Sequence, residues 1–196
     1  TGDLATVSFF QNLGMQSIMP QDGLLSVAVP GAPLIYELGL KAYGNFSLEK
    51  ALGPGVSLAE EGFTVTPGFA RALANGQAKF GKCPEASRVF LSNGQAPKAG
   101  ERFRAPDLAN TLMEFGRSGA EYIYKGTFAE KFYRLSDEAG ESGSTFSGGE
   151  FDRFYRQPPA FYTPLSIDYR GNTIYQTAPV SQGFLMLEQM KIIENF

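Results

Sequence analysis

The sequence of 196 residues contains no histidine, no tryptophan and a single cysteine, Cys83. Without histidine the chain cannot assemble a Ser-His-Asp triad, a Cys-His pair or an imidazole general base. One cysteine without histidine also excludes a zinc finger and a disulfide within the chain. We therefore expect no metal centre and no cofactor, and we expect Cys83 to be a small, buried or half-buried residue rather than a reactive thiol.

Long apolar runs and excess positive charge are also missing. The 17 basic and 20 acidic residues give a net charge of −3, so a large basic surface is excluded and nucleic acid is an unexpected partner. No apolar run approaches the roughly 18 residues that a membrane span needs. The hydrophobic content of 43% is typical of a globular protein, and the length predicts a single domain over residues 1–196.

Glycine and proline are abundant, with 23 and 12 residues, which predicts many short elements joined by turns. The apolar run 24–29 resembles a strand, residues 76–100 are irregular, and Arg170-Gly171 is typical of the turn of a β-hairpin. Helical spacing and start signals predict several helices. Prolines or caps start helices after Pro33, from Thr66 to about Gly76 and after Pro106, and capping-box patterns start two more at Thr127 and Ser147. Two further helices are predicted over 47–61, with a break or bend at Gly53-Pro54-Gly55, and over 181–196. The last of these helices is apolar over most of its circumference, which predicts burial on several sides within something larger.

Four patterns resemble chemistry but fail a physical test. Residues 76–82 match G-x-x-x-x-G-K, yet the preceding segment is predicted to be helical and Cys83 stands where a phosphate-binding loop needs a hydroxyl. Gly53-Pro54-Gly55 lacks the third glycine of a dinucleotide fingerprint. Thr1 could act as an N-terminal nucleophile, although a turn is the favoured interpretation. The adjacent carboxylates Glu60-Glu61 and Asp137-Glu138 point apart on a helix, so we expect them to be solvated.

The ordered set of short segments resembles the large subunit of the gamma-glutamyltransferase, or gamma-glutamyltranspeptidase, family. The segments are residues 26–31 (SVAVPG), 43–44 (YG), 58–63 (LAEEGF), 106–112 (PDLANTL), 124–130 (YKGTFAE), 164–171 (PLSIDYRG), 179–183 (PVSQG) and 192–196 (IIENF). Each is weak alone, and their order and spacing over residues 24–196 make the resemblance specific.

The resemblance implies an N-terminal nucleophile hydrolase of the α+β class, in which this helix-rich chain with one β-hairpin is part of a four-layer αββα sandwich. It also implies a precursor that cleaves itself, so that a threonine becomes the first residue of a small subunit and attacks a gamma-glutamyl or related amide. In such an enzyme the threonine and the oxyanion-hole glycines lie downstream of this chain, and no residue here matches the arginine that grips the substrate. The chain would then be the middle of the large subunit, with the small subunit of the same precursor as its partner and no activity in isolation.

The loop that carries Ser181, Gln182 and Gly183 is the candidate substrate contact, because it joins a strand end to a helix N-terminus. The alternative is that Ser181 only caps the helix. The family's transpeptidases usually have Ser-Ser-Gly-Gly here, so the Ser-Gln-Gly form is more similar to the amidohydrolase and acylase relatives. Asp168 and Arg170 flank the hairpin and are expected to be structural.

The function expected is hydrolysis or transfer of an acyl amide, with a small-molecule amide as substrate. The rival interpretation is a catalytically silent helical scaffold or partner-binding domain. In isolation, the apolar final helix predicts self-association. The sequence leaves the compartment open between the periplasm or exterior and the cytoplasm.

Overall fold

The computed structural model describes residues 2–140, 142–158, 160–179 and 181–196. The chain divides into two compact units, Thr1–Gln157 and Pro158–Phe196. The first unit contains helices and one small two-stranded sheet, and the second contains a β-hairpin and a helix. The single domain expected over residues 1–196 stays a prediction.

Several helices of the first unit begin at the caps and prolines that predicted them. They are α1 (Val7–Asn12), α2 (Ala32–Tyr43), α3 (Leu48–Glu61), α4 (Pro67–Phe80), α5 (Pro84–Phe90), α6 (Pro106–Ser118), α7 (Ala120–Tyr124), α8 (Thr127–Glu138) and α9 (Glu150–Arg156). The hydroxyls of Thr6, Ser47 and Thr66 each accept a hydrogen bond from the backbone N–H three residues on, at 3.1–3.2 Å. These bonds satisfy N–H groups that a helix leaves without a partner in its first turn.

Several local expectations are wrong. Residues 24–29 are not a strand, because Leu24–Ser26 form a single 3-10 turn that an extended segment follows. Helix α3 continues through Gly53-Pro54-Gly55, so the break that was one of the two expectations there is absent. Helix α8 has Gly126 as its N-cap, so Thr127 is already helical and the capping box expected there is absent. Residues 76–100 are not wholly irregular, because they contain the end of α4 and all of α5.

The core of the first unit lies where α2, α7, α8 and α9 converge. Its buried residues are Leu34, Phe115, Ala120, Ile123, Tyr124, Ala129, Phe146 and Phe151. Tyr124 is 1% exposed, and its hydroxyl donates to the carbonyl of Pro30 and accepts from the N–H of Leu34 at 3.4 Å. Because a buried hydroxyl needs partners, these bonds fix the start of α2 against α7.

Helices α3 and α6 pack closely beside this core. A Cβ atom built on Gly116 of α6 would lie 3.0 Å from the Cα of Glu49 on α3, so glycine permits the close approach. Strands β1 (Phe63–Thr64) and β2 (Arg102–Phe103) pair antiparallel after α3, with Phe63 opposite Phe103. A second aromatic cluster surrounds this ribbon and consists of Phe63, Phe69, Phe80, Phe90 and Phe103.

The second unit is the predicted hairpin followed by the predicted helix. Strands β3 (Leu165–Tyr169) and β4 (Asn172–Gln176) pair antiparallel, with Ile167 opposite Ile174, and helix α10 runs over Gly183–Ile193. Leu187 is the buried residue of α10. The burial expected on several sides is not present in the described residues, since large apolar side chains of this segment are exposed; they include Phe184, Leu185, Met186, Ile192, Ile193 and Phe196.

Candidate functional site

The candidate loop runs from the end of β4 to the first turn of α10. It contains Ser181, Gln182 and Gly183, while Val180 lies outside the described residues. The Ser181 hydroxyl hydrogen-bonds to the hydroxyl of Thr177 and accepts from the N–H of Gly183 at 3.3 Å. The N–H of Ser181 donates to the carbonyl of Ala178 at 3.4 Å. Ser181 therefore caps one N–H at the start of α10, although the backbone turns helical only after Gln182.

Close packing against β4 leaves no room for a side chain at Gly183. A Cβ atom built on it would lie 2.9 Å from Oε1 of Gln176 and 3.1 Å from the carbonyl oxygen of Thr177. The amide of Gln176 in turn donates to the sulfur of Met186 at 3.1 Å. The start of α10 thus packs directly on the end of β4, and a side chain at Gly183 would push the two apart.

Gln182 is the exposed member of the three. It is the N-cap by backbone position, its carbonyl accepts from the N–H of Leu185 at 3.1 Å, and its side chain makes no capping bond. The first turn of α10 carries no acidic residue, so its partial positive charge is not compensated there. Residues 177–183 contain no titratable side chain. The loop can offer polar and N–H contacts to a carbonyl or anion, and its side chains include no acid–base group.

The other sequence patterns are structural where the structure describes them. Residues 76–80 are the last turn of α4, which confirms the rejection of a phosphate-binding loop. Cys83 is the N-cap residue of α5 and is exposed, so the expectation that it is buried or half-buried is wrong. The carboxylates Glu60-Glu61 and Asp137-Glu138 are exposed, as expected. Thr1 lies outside the described residues.

The hairpin turn has the structural role predicted for it. The carboxylate of Asp168 accepts from the N–H of Gly171 at 3.1 Å, and the N–H of Arg170 donates to Glu194 at 2.8 Å. Arg170 has a φ of 49°, in the left-handed region that a two-residue hairpin turn requires. Its guanidinium lies 5.3 Å from the centre of the Tyr169 ring.

The burial of Glu150 could not be predicted from the local sequence, because it depends on residues far away in the chain. Glu150 is the first residue of α9 and is 3% exposed. Its two oxygens accept hydrogen bonds from the N–H of Ser147 at 2.8 Å and the hydroxyl of Ser147 at 3.0 Å, from the N–H of Gly148 at 3.0 Å, from the N–H of Asp3 at 3.2 Å and from the hydroxyl of Tyr133 at 3.1 Å. The capping-box pattern at Ser147 predicted only the first of these contacts, and it is wrong about the N-cap, which is Gly149.

These bonds decide the charge of Glu150. Burial raises the pKa of its carboxyl group. Hydrogen bonds from the N–H groups of Ser147, Glu150 itself and Asp3, and from the Ser147 hydroxyl, outweigh burial and lower the pKa from 4.5 to about 2. The buried group is therefore a carboxylate at neutral pH. A base this weak is unsuited to proton abstraction at neutral pH, and its geometry serves structure.

Two further observations concern possible metal sites and membrane spans among the described residues. No three His, Cys, Asp or Glu side chains in the described ranges lie close enough together to hold a metal ion. Within the same ranges, each helix is too short or too polar to cross a membrane.

Comparison with known proteins decides the family. The family model for gamma-glutamyltranspeptidase matches residues 2–196. The chain belongs to the gamma-glutamyltranspeptidase family. The resemblance of the ordered segments is confirmed, and the helices with two small antiparallel sheets confirm the α+β class.

Curated relatives and similar solved structures extend well beyond the length of this chain. The chain is 32% identical over 182 residues to the glutathione hydrolase-like YwrD proenzyme of Bacillus subtilis, covering 92% of this chain and 34% of that protein. It is 32% identical to the glutathione hydrolase proenzyme of the same organism, covering 87% of this chain and 28% of that protein. The crystal structure of cephalosporin acylase from Bacillus halodurans is 28% identical and superposes with a TM-score of 0.88, over 100% of this chain and 37% of that one. The chain therefore spans about a third of the length of these relatives.

Proposed function

We propose that this chain is the middle part of the large subunit of an enzyme that hydrolyses or transfers a gamma-glutamyl or related acyl amide. The nucleophile in this proposal is an N-terminal threonine outside the chain. The observation that carries the proposal is the family match over residues 2–196, together with relatives that are named glutathione hydrolases and an acylase.

Within that class, we favour hydrolysis over transfer to an amino acid. The support is the Ser181-Gln182-Gly183 sequence, which departs from the usual transpeptidase pattern. The small-molecule substrate would then be an amide whose acyl group resembles gamma-glutamyl or glutaryl. The partner of this chain in catalysis would be the small subunit of the same precursor, in agreement with the proenzyme names of the relatives.

The test is an assay of the complete gene product beside the 196-residue chain. Gamma-glutamyl and glutaryl anilides are offered to both, with water alone and with an added amino acid acceptor. We expect turnover by the complete product, cleavage into two chains with threonine first in the smaller one, and no turnover by the 196-residue chain. Activity of the short chain that is lost on Thr1→Ala would assign the nucleophile to Thr1, and an uncleaved, inactive complete product would favour the scaffold interpretation.

We also propose that residues 181–183 lie close to the substrate in the complete enzyme. The support is the pair of features described above, an uncompensated helix N-terminus and an exposed Gln182 beside it. Gln182→Ala is the sharpest variant because its side chain makes no capping bond, so a change in kcat/KM without a change in Tm would reflect substrate contact. Gln189→Ala, an exposed glutamine on the same helix, is the matched control. Equal kcat/KM values for Gln182→Ala and wild type would leave the loop with a purely structural role.

The exposed apolar side chains of α10 support the partner proposal. Ile192 and Ile193 are 62% and 55% exposed, and Met186 is 44% exposed. We propose that the rest of the precursor covers these residues and that the 196-residue chain self-associates without it. Sedimentation of the short chain should show oligomers that disappear in the complete product. A monodisperse monomer that binds no apolar dye would contradict this expectation.

A further inference from the structure

The segment at residues 2–6, which we call the strap, is held across the loop before α9 by polar contacts. The N–H of Leu4 donates to the carbonyl of Thr145 at 2.9 Å, and the N–H of Asp3 donates to the Glu150 carboxylate at 3.2 Å. The guanidinium of Arg153 donates to the Asp3 carboxylate at 2.6 Å. These contacts join positions almost 150 residues apart in the sequence.

Gly2 packs closely on the loop before α9. It is buried, and a Cβ atom built on it would lie 2.1 Å from the carbonyl oxygen of Thr145. Asp3 and Thr6 are exposed and Leu4 is 40% exposed, so polar contacts rather than complete burial hold most of the strap. A segment held by a few polar contacts rather than by burial opens locally at lower free energy than the core.

Glu150 is the point where the strap and the core meet. Its carboxylate binds Asp3 of the strap while it also binds Ser147 and Tyr133, whose hydroxyl accepts from the N–H of Phe151 at 2.9 Å. Phe151 is 1% exposed and lies in the main core. One carboxylate therefore links a surface segment to the best-buried part of the first unit.

We propose that the strap opens independently of the helical core and that the Glu150 carboxylate is the latch that closes it. The strap leads directly into α1, and α1 lines one wall of an open cavity of about 340 Å³ with Phe10, Met15 and Ile18 among its lining residues. Closing the latch fixes the start of α1, so it sets the position of that wall. Opening it frees the backbone N–H of Leu4 and uncovers the carbonyl of Thr145.

Amide hydrogen exchange on the complete gene product tests the latch. In Glu150→Gln the amides of the strap and α1 should exchange roughly 10- to 100-fold faster, because bonds to a charged acceptor are lost, while the amides of α3 and α6 keep their wild-type rates. Glu138→Gln, an exposed carboxylate on α8, is the control and should change neither. Faster exchange throughout the chain, or unchanged exchange in the strap, would overturn the proposal.

Acetate gives a second test of the same site. Glu150→Ala removes the atoms of one acetate ion, so added acetate should restore slow exchange in the strap and equal ionic strength of chloride should not. Equal exchange rates in acetate and chloride would count against the carboxylate as the latch.

Gly2→Ala tests the strap without touching Glu150, and it decides the matter if the Glu150 variants do not fold. Its new methyl group would collide with the Thr145 carbonyl. We expect fast exchange confined to the strap and α1. Loss of protection in α3 and α6, or no change at all, would show that the strap is not a separate opening unit.

Discussion

Two loops in this chain begin helices with similar sequences, Ser147-Gly148-Gly149-Glu150 before α9 and Ser181-Gln182-Gly183 before α10. In the first loop a buried carboxylate occupies the ring of N–H and hydroxyl donors, and its partners come from three separate parts of the chain. In the second loop the partners are local, the only side-chain cap is a serine hydroxyl, and Gln182 is exposed. An internal anion fills the first loop, whereas the second is open to a group from elsewhere.

The glycines of the two loops are needed for different physical reasons. Gly148 and Gly149 have φ values of 102° and 89° and free space around a built Cβ atom, so backbone conformation requires them. Gly183 is crowded instead, because a Cβ atom built on it would lie close to Gln176 and Thr177. Identical residues therefore serve conformation in one loop and close packing in the other. This distinction makes the comparison testable by substitution.

The largest effect on stability is expected at Glu150, and it should depend on pH because the carboxyl group titrates. Since the pKa of Glu150 is below that of the unfolded chain, its stabilisation is complete above about pH 4.5 and is lost as the pH falls towards about 2. The shift corresponds to on the order of 3 kcal/mol at neutral pH. In hydrogen-exchange measurements at pH 7, Glu150→Gln should lose most of this amount from the free energy of opening the strap.

The same exchange measurements at pH 3 provide the control for Glu150. There the difference between wild type and Glu150→Gln should shrink, while Glu138→Gln should match the wild type at both pH values. A difference that stays constant with pH would mean that the carboxylate charge does not stabilise the first loop.

The next effect separates the two kinds of glycine. Gly183→Ala should lower stability by about 1–3 kcal/mol because its methyl group crowds Gln176, and Gly183→Asn should be worse. Gly149→Ala should cost about 1 kcal/mol through backbone strain, and Gly149→Asn should recover part of it because asparagine tolerates a positive φ. Thermal unfolding of the four variants measures this contrast. If asparagine is equally harmful at both sites, the two glycines do not differ as described.

A smaller effect compares the two serines. Ser147→Ala removes a hydrogen bond to a charged acceptor and should cost about 1.5–3 kcal/mol, whereas Ser181→Ala removes a neutral cap and should cost about 1 kcal/mol. Urea midpoints of the two variants, measured at pH 7, decide the order. The reverse order would place the stronger cap in the second loop.

The smallest effect is expected at the hairpin turn that precedes the second loop. Arg170 has a positive φ, where asparagine is favoured, so Arg170→Asn should raise stability by a few tenths of a kcal/mol. Loss of the stacking on Tyr169 acts in the opposite direction and limits the gain. Differential scanning calorimetry with Arg170→Lys as the control can resolve the sign, and a clear loss of stability would show that the stacking outweighs the backbone.

Elements with a local signal could be predicted from the sequence. Thr66-Pro67 gives a cap and a first helical residue, and α4 begins there; Arg170-Gly171 gives the hairpin turn. Helix α5 could not be predicted, because its N-cap residue is Cys83 and no side chain caps it. The run 24–29 is apolar enough for a strand but pairs with nothing in the described residues, and strand pairing is a property of the whole fold.

The candidate loop was predictable as a turn before a helix, but its geometry was not. The crowding at Gly183 arises from Gln176 on the preceding strand, and the burial of Glu150 arises from Asp3 and Tyr133. Contacts between residues distant in sequence leave no local pattern. The family, in contrast, was predictable because the order of many short segments carries more information than any one of them.

The exposed thiol of Cys83 also makes this chain convenient for spectroscopy. Because it is the only cysteine, a maleimide dye or spin label would attach at one known position, next to the first turn of α5, without any prior substitution. The chain has no tryptophan, so one tryptophan placed in the strap would be its sole indole emitter and could transfer excitation to that dye. The separation of the two labels would then report each opening of the strap in real time.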